Sequence, residues 1–283
     1  MLIIGELINT SRKKIREAVE ARDAAYIQQI AQEQEAAGAN YLDVNCGNMV
    51  GQELEIMKWL VETIQQVTEM PLCIDSPDPA VLKVGLSLLK PGYQPMINSL
   101  SAEQKRYNAV IPLVKEYKAK IVALCIEDAG MPKTAEDRLR IATDLIQSLE
   151  QDGVRQCDIY LDPLIKPLST NDRYGVEVLD AIRLLKAKFP EVHFTCGLSN
   201  ISYGLPNRGI LNRLFVVQTM TVGMDGYILN PTDKAMMGMV YASQALLGQD
   251  RFCAKYLKAH RKGLYEATPS LASPKTDIPV AAH

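Results

Sequence analysis

Four polar residues sit at the tail of apolar runs, where a side chain is partly buried: Asp43 in "LDVN", Asp75 in "CIDS", Asn98 in "MINS" and Asp162 in "YLDP". Others end similar runs: Glu6 and Asn9, Asn45, Ser76, Ser99, Glu127 and Asp128, Ser199 and Asn200, Asn230 and Asp233. Each run therefore closes on an acid or an amide. None closes directly on Lys, Arg or His; the nearest base is Arg208, after "GLSNISYGLPN". An ionised carboxylate only accepts hydrogen bonds, whereas an amide both donates and accepts. A partly buried set of this kind needs partners. It suits a ligand rich in N–H donors, such as an aminopyrimidine edge, whose paired donors match one carboxylate. Part of the set has an ordinary explanation, since Asp, Asn and Ser are favoured N-caps and turn formers. Ser76, Asp78, Asp172 and Asn207 read as caps. The competing chemistry is a magnesium site on Asp43, Asp75 and Asp162, which would work with substrate phosphates; no Gly-rich phosphate loop accompanies it.

The elements that must carry these residues alternate along the chain. "LIIGE" precedes a helix expected from Ser11 to Ala37. The strands "YLDVN", "PLCID", "QPMINS", "KIVALCI", "DIYLDPL", "HFTCGLS" and "GYILNP" are each followed by an amphipathic stretch. Parallel strands buried on both faces read as near-continuous apolar runs, as these do. Eight strand–helix units in this length point to a (β/α)8 TIM barrel, whose chemistry sits at the C-terminal ends of the strands. A doubly wound open sheet is the structural rival, but "GELINTSRKK" lacks the G-x-G-x-x-G turn. "RFCAKYLKAHRKGLYEA" reads as an extra C-terminal helix. One domain is expected over residues 1–267, with a loosely ordered tail over 268–283.

Bulk composition narrows the function. The 283 residues are 47% apolar and 23% charged, with a net charge of -2. That balance argues against a nucleic-acid surface. No run is long enough for a membrane span, and the start lacks a signal-peptide pattern. The six cysteines are scattered without a C-x-x-C pair. They read as small buried hydrophobes in a reducing cytoplasm. Only three histidines occur, none with zinc-ligand spacing, and His193, lying mid-strand, reads as a core residue.

"GELIN", "LDVNCG", "LCIDS", "MINS", "YLDPLI" and "GLSNIS…NR" together resemble the motifs of the pterin-binding barrel methyltransferases. The likeness runs in order from residue 1 to about 265. It is nearest to methyltetrahydrofolate:corrinoid/iron–sulfur protein methyltransferases and to the tetrahydrofolate methyltransferases of demethylation systems. The resemblance implies that Asp75, Asn98 and Asp162 hold the aminopyrimidine edge of the pterin, with Asp43 alongside. It places Gly197, Ser199 and Asn200 by the reactive N5 and Arg208 just beyond, with Asn200 as the catalytic residue. Glu6, Asn9, Ser76 and Tyr203 are further candidates. The motifs depart from the family at Leu7 and Tyr203, and at Glu127–Asp128 after strand five.

The implied activity is transfer of a methyl group between the cobalt of a corrinoid protein and N5 of tetrahydrofolate. The departures favour the demethylation direction, methylcorrinoid to tetrahydrofolate, in glycine betaine or O-demethylation. No D-x-H-x-x-G cobalamin signature occurs, so the corrinoid would arrive on a partner protein. No structural metal is expected, and the family implies a homodimer. Dihydropteroate synthase shares the barrel and pterin pocket, but the basic ending it places after strand eight reads "YILNPTD" here. A non-catalytic pterin-binding protein is the third reading.

Overall fold

A computed structural model of the chain describes residues 1–265. The tail expected over 268–283, and the last two residues of the expected domain, lie outside the described residues. Eight parallel strands form one sheet: β1 (Leu2–Asn9), β2 (Tyr41–Asn45), β3 (Leu72–Asp75), β4 (Met96–Ser101), β5 (Lys120–Leu124), β6 (Ile159–Asp162), β7 (His193–Phe194) and β8 (Gly226–Leu229). Their spatial order follows the chain, with β8 beside β1. A parallel bridge between Gly197 and Ile228 draws β7 to β8, with the Ile228 N–H donating to the Cys196 carbonyl at 2.9 Å. The result is the expected TIM barrel.

Helices α1 (Lys13–Glu20), α2 (Ala24–Ala36), α3 (Glu53–Ile64), α4 (Pro79–Ser87), α5 (Gln104–Tyr117), α6 (Ala135–Gln151), α7 (Tyr174–Lys188), α8 (Arg208–Thr221), α9 (Lys234–Leu246) and α10 (Ala254–Arg261) surround the sheet. Their apolar faces pack on it. In α3 the buried residues Ile56, Met57, Leu60, Val61 and Ile64 recur at helical spacing. Truncating one such residue to Ala typically costs about 2–5 kcal/mol.

Three expectations change. The single helix over Ser11–Ala37 is two helices, because Arg22 takes a left-handed conformation with φ 53°. Asp23 then caps α2 by accepting from the Tyr26 N–H at 3.0 Å. The seventh strand stops at Phe194 and gives way to a short 3-10 turn, Leu198–Ser202. The extra C-terminal helix is present but shorter, with Phe252 and Cys253 left-handed before it. Of the cysteines, Cys46, Cys73, Cys125 and Cys196 are buried, whereas Cys157 and Cys253 are exposed; all six are free thiols.

The barrel interior is closed below its mouth. Ile4, Tyr41, Cys73, Met96, Val122 and Tyr160 pack as one buried layer. Beneath it the Lys120 ammonium lies 5.5 Å from the ring centres of both Tyr41 and Tyr160. His193 stacks on Tyr160 and pairs with Asp225 at 2.8 Å. These groups plug the N-terminal end, so the C-terminal mouth is the side left for a ligand.

Candidate active site

The parallel register sets Asn9, Asn45, Asp75 and Asn98 in one row across β1 to β4. Two residues earlier on β2, Asp43 shares a face with Asn45, since side chains alternate along a strand. A register shift in β4 between Asn98 and Leu100 brings Ser101 level with Leu124 and Asp162. Strand ends thus bring Asp43, Asp75, Asn98 and Asp162 to one rim, although they are far apart in sequence.

Hydrogen bonds connect the row. The Asn45 amide donates to Asp75 Oδ2 at 2.7 Å, and the Asn98 amide to Asp43 Oδ1 at 3.3 Å. Burial pushes the Asp43 carboxyl well above the ordinary range, and the neighbouring Asp75 charge adds to the rise. Asp75 is lifted by burial to about 6, against the opposing pull of Asn45, Asp43 and Arg106. Two neighbouring desolvated acids resist double ionisation, and both carboxyls are held above the ordinary range. Asp162 ends β6, where burial also lifts it to about 6 despite main-chain N–H bonds from Leu164 and Gly197 and the charge of Arg138. The Leu164 N–H lies 2.8 Å from Asp162 Oδ1.

The seventh loop stands beside this row. Gly197 has φ −74°, which any residue adopts, and its N–H bonds to Asp162. Asn200 is exposed, with its N–H donating to the Gly197 carbonyl at 3.2 Å. Arg208 donates to the Ser199 carbonyl at 2.6 Å and to Ser202 Oγ at 3.0 Å, so it fastens the loop. Its guanidinium lies 5.9 Å from the ring centre of Tyr203, which is 65% exposed. Glu6 reaches the rim from β1, raised by burial and paired with Arg12 at 2.6 Å.

Other strand-end residues serve local structure. Asn9 Oδ1 accepts from the Ser11 N–H at 2.9 Å, and Ser76 Oγ from the Asp78 N–H at 3.1 Å. Asp78 caps α4, and Asp233 caps α9. Asn230 closes a turn onto Thr232. Glu127 pairs with Arg140 through both carboxylate oxygens, and Asp128 accepts from the Gln104 N–H. Asn207 precedes α8 without a side-chain cap bond, and Asp172 is displaced from the cap of α7 by Arg173. The chain alone shows Asn45 at a strand end but not that it holds Asp75, and it gives no sign of the arginines Arg12, Arg106 and Arg138. Asn45 was visible as the last residue of "LDVN"; the arginines had no motif. Among the described residues, no three or more His, Cys, Asp or Glu groups are placed to hold a metal ion. A cavity of about 770 Å³ lined by Gly38, Tyr241, Lys258 and Lys262 lies away from this rim. It contains none of the strand-end acids.

Comparison with known proteins identifies the family of the whole chain. Residues 5–230 match the pterin binding enzyme family. The chain belongs to that family. It is 38% identical over 266 residues to the methylcorrinoid:tetrahydrofolate methyltransferase of Eubacterium limosum, covering 93% of this chain and 97% of that protein. It is 34% identical over 264 residues to the methionine synthase of Mycobacterium tuberculosis, covering 88% of this chain. The match spans only 22% of that longer protein. Among solved structures, the dihydropteroate synthase of Yersinia pestis with a sulfonamide drug superposes with a TM-score of 0.65 at 18% identity. That superposition covers 86% of this chain and 94% of the synthase, and reports a common fold.

Proposed function

We propose that this chain is a methyltransferase that moves a methyl group from the cobalt of a methylated corrinoid protein to N5 of tetrahydrofolate. The observation that carries the reading is the polar rim of half-buried Asp75 and Asn98 with buried Asp162, on a chain matched over nearly its whole length by a methylcorrinoid:tetrahydrofolate methyltransferase. In this reading the carboxylates accept from the amino and ring N–H groups of the pterin, while the Asn98 amide serves a donor or an acceptor. Both acids lie near 6, so at neutral pH they are mostly ionised and ready to accept.

The transfer itself is a displacement. The N5 lone pair forms the new bond to the methyl carbon as the cobalt–carbon bond breaks, and that electron pair stays with the cobalt. N5 becomes a charged methylated amine and then loses its proton to solvent. Such a reaction needs alignment and a responsive electrostatic setting more than a covalent protein group. In this reading Asn200, exposed on the seventh loop, turns its amide toward N5 as charge develops. The corrinoid is a substrate delivered by a partner protein docking at the mouth, and a homodimer and a cytoplasmic setting belong to the same proposal. Demethylation is the favoured direction, on the strength of Leu7, Tyr203 and Glu127. A pathway built on a corrinoid/iron–sulfur protein would run the transfer the other way.

Purified protein mixed with methylcobalamin and tetrahydrofolate, followed through the cobalt absorption spectrum, tests the reading. Loss of the methyl–cobalt spectrum with formation of 5-methyltetrahydrofolate is expected. Folate binding without turnover, even with a methylated corrinoid protein, would instead make this a pterin-binding protein. Condensation of a pterin pyrophosphate with p-aminobenzoate would make it a dihydropteroate synthase.

A further inference from the structure

Two arginines reach the acidic rim from behind, through the main chain. Arg106 is the third residue of α5, and Arg138 the fourth of α6. Among the described residues neither is hydrogen-bonded to a carboxylate. Arg106 donates through Nε to the Ser99 carbonyl at 2.9 Å, through Nη1 to Pro77 at 2.5 Å, and through Nη2 to Ser76 at 2.8 Å and again to Ser99. Arg138 donates through Nε to the Pro163 carbonyl at 2.7 Å, through Nη1 to Thr134 at 3.0 Å and through Nη2 to Leu164 at 3.1 Å. Apart from Thr134, the N-cap of α6, the acceptors lie one or two residues after Asp75, Asn98 and Asp162. The same device thus recurs on two helices, aimed at the three side chains assigned to the pterin.

Neither placement is favourable for a helix in isolation. Both charges are in the first turn, where the helix dipole opposes a cation. Both are desolvated, and Arg138 is fully buried. A planar guanidinium with five donors can bridge several carbonyls at once, which a lysine ammonium on its flexible stem does not match. We infer that Arg106 and Arg138 are positioning residues: they set the main chain after Asp75, Asn98 and Asp162 and place positive charge behind the carboxylates. The inference rests on the pterin reading of those three residues.

The electrostatics act in the same sense as the geometry. Arg106 draws the Asp75 carboxyl down against its burial, and Arg138 does the same for Asp162. Asp75 also faces Asn45, Asp43 and Cys46 from the β2 segment, and Arg106 also faces Asp78 and Glu103. Around Asp162 the remaining groups are the Leu164 and Gly197 N–H donors and the Cys125 and Cys196 thiols.

Arg106 is only partly buried, so it is the residue to test. Binding of 5-methyltetrahydrofolate would be measured by calorimetry from pH 5 to 8 for the parent, Arg106→Gln and Arg106→Lys, beside thermal unfolding. Arg106→Gln should weaken binding about 10- to 100-fold, the range for lost bonds to a charged group. It should also move the acid midpoint for loss of binding to higher pH, because Asp75 loses its nearby cation. Arg106→Lys should keep the parental midpoint while losing most of the affinity, since it keeps the charge but not the bridge. If Arg106→Gln does not fold, that pairing in Arg106→Lys carries the test alone. Parental affinity and midpoint in folded Arg106→Gln, or full affinity in Arg106→Lys, would overturn the inference. A parent that binds no 5-methyltetrahydrofolate would instead overturn the pterin reading, and the inference with it.

Discussion

Replacing Asp162 by Asn should make the ligand-free protein relatively more stable at neutral pH while weakening its hold on folate. Asp162 is 8% exposed, and its carboxyl is raised from the ordinary 3.8 to about 6, first by burial. An acid raised in the folded state binds its proton more tightly there than in the unfolded chain. Its contribution to stability is therefore fully present below about pH 4 and lost as pH rises toward 6. Two pH units at about 1.4 kcal/mol each amount to roughly 3 kcal/mol, a large share of the roughly 5–15 kcal/mol that holds a typical domain together. Asn cannot ionise, so it lacks this loss. It accepts fewer hydrogen bonds than a carboxylate, and the Leu164 and Gly197 N–H groups feel that difference. A lost bond of this kind costs about 1–2 kcal/mol, but it does not vary with pH. Urea unfolding of parent and Asp162→Asn at several pH values separates the two effects, because other titrations cancel in the difference. The stability difference should move by about 2.4 kcal/mol in favour of Asn between pH 4 and 7. Folate affinity at pH 7.5 should fall at least about tenfold, since one charged acceptor is gone. A difference that stays constant to within about 1 kcal/mol across that range would refute the buried, ionising Asp162 described above.

Three further outcomes follow from the same rim. Asp75→Ala should weaken tetrahydrofolate binding about tenfold or more, and parental binding should decline as pH falls through about 6, where Asp75 takes up its proton; calorimetry at pH 5 to 8 reads both, and pH-independent binding would contradict the assignment. Asn200→Ala should lower turnover by roughly 10²–10³-fold, the loss typical of one preorganised donor, with a smaller change in folate affinity; near-parental turnover would return Asn200 to a turn-forming role. A chelator should leave methyl transfer unchanged, and activity lost to it and restored by zinc or magnesium would point to a metal among the strand-end acids.

Much of the architecture is legible in the chain alone. Continuous apolar runs alternating with helical periodicity mark all eight units, because a strand covered on both faces and a helix covered on one require those patterns. The residues at the rim are legible for a related reason: Asp43, Asp75, Asn98 and Asp162 interrupt or end apolar runs, where an unpartnered polar group is costly. Tertiary structure decided what the pattern could not. Glu127, Asp128, Asn230 and Asp233 look like the rim residues in sequence, yet they bond to Arg140, to the Gln104 N–H, to Thr232 and to α9. Whether a strand-end acid faces a helix terminus or the barrel axis depends on strand register and on the loop beyond it, which residue type does not encode. The break at Arg22 was hidden because the composition around it favours helix on both sides. Arg106 and Arg138 left no signal at all. They act on main-chain carbonyls of other loops, and every residue has a carbonyl, so only the folded chain shows which ones they hold.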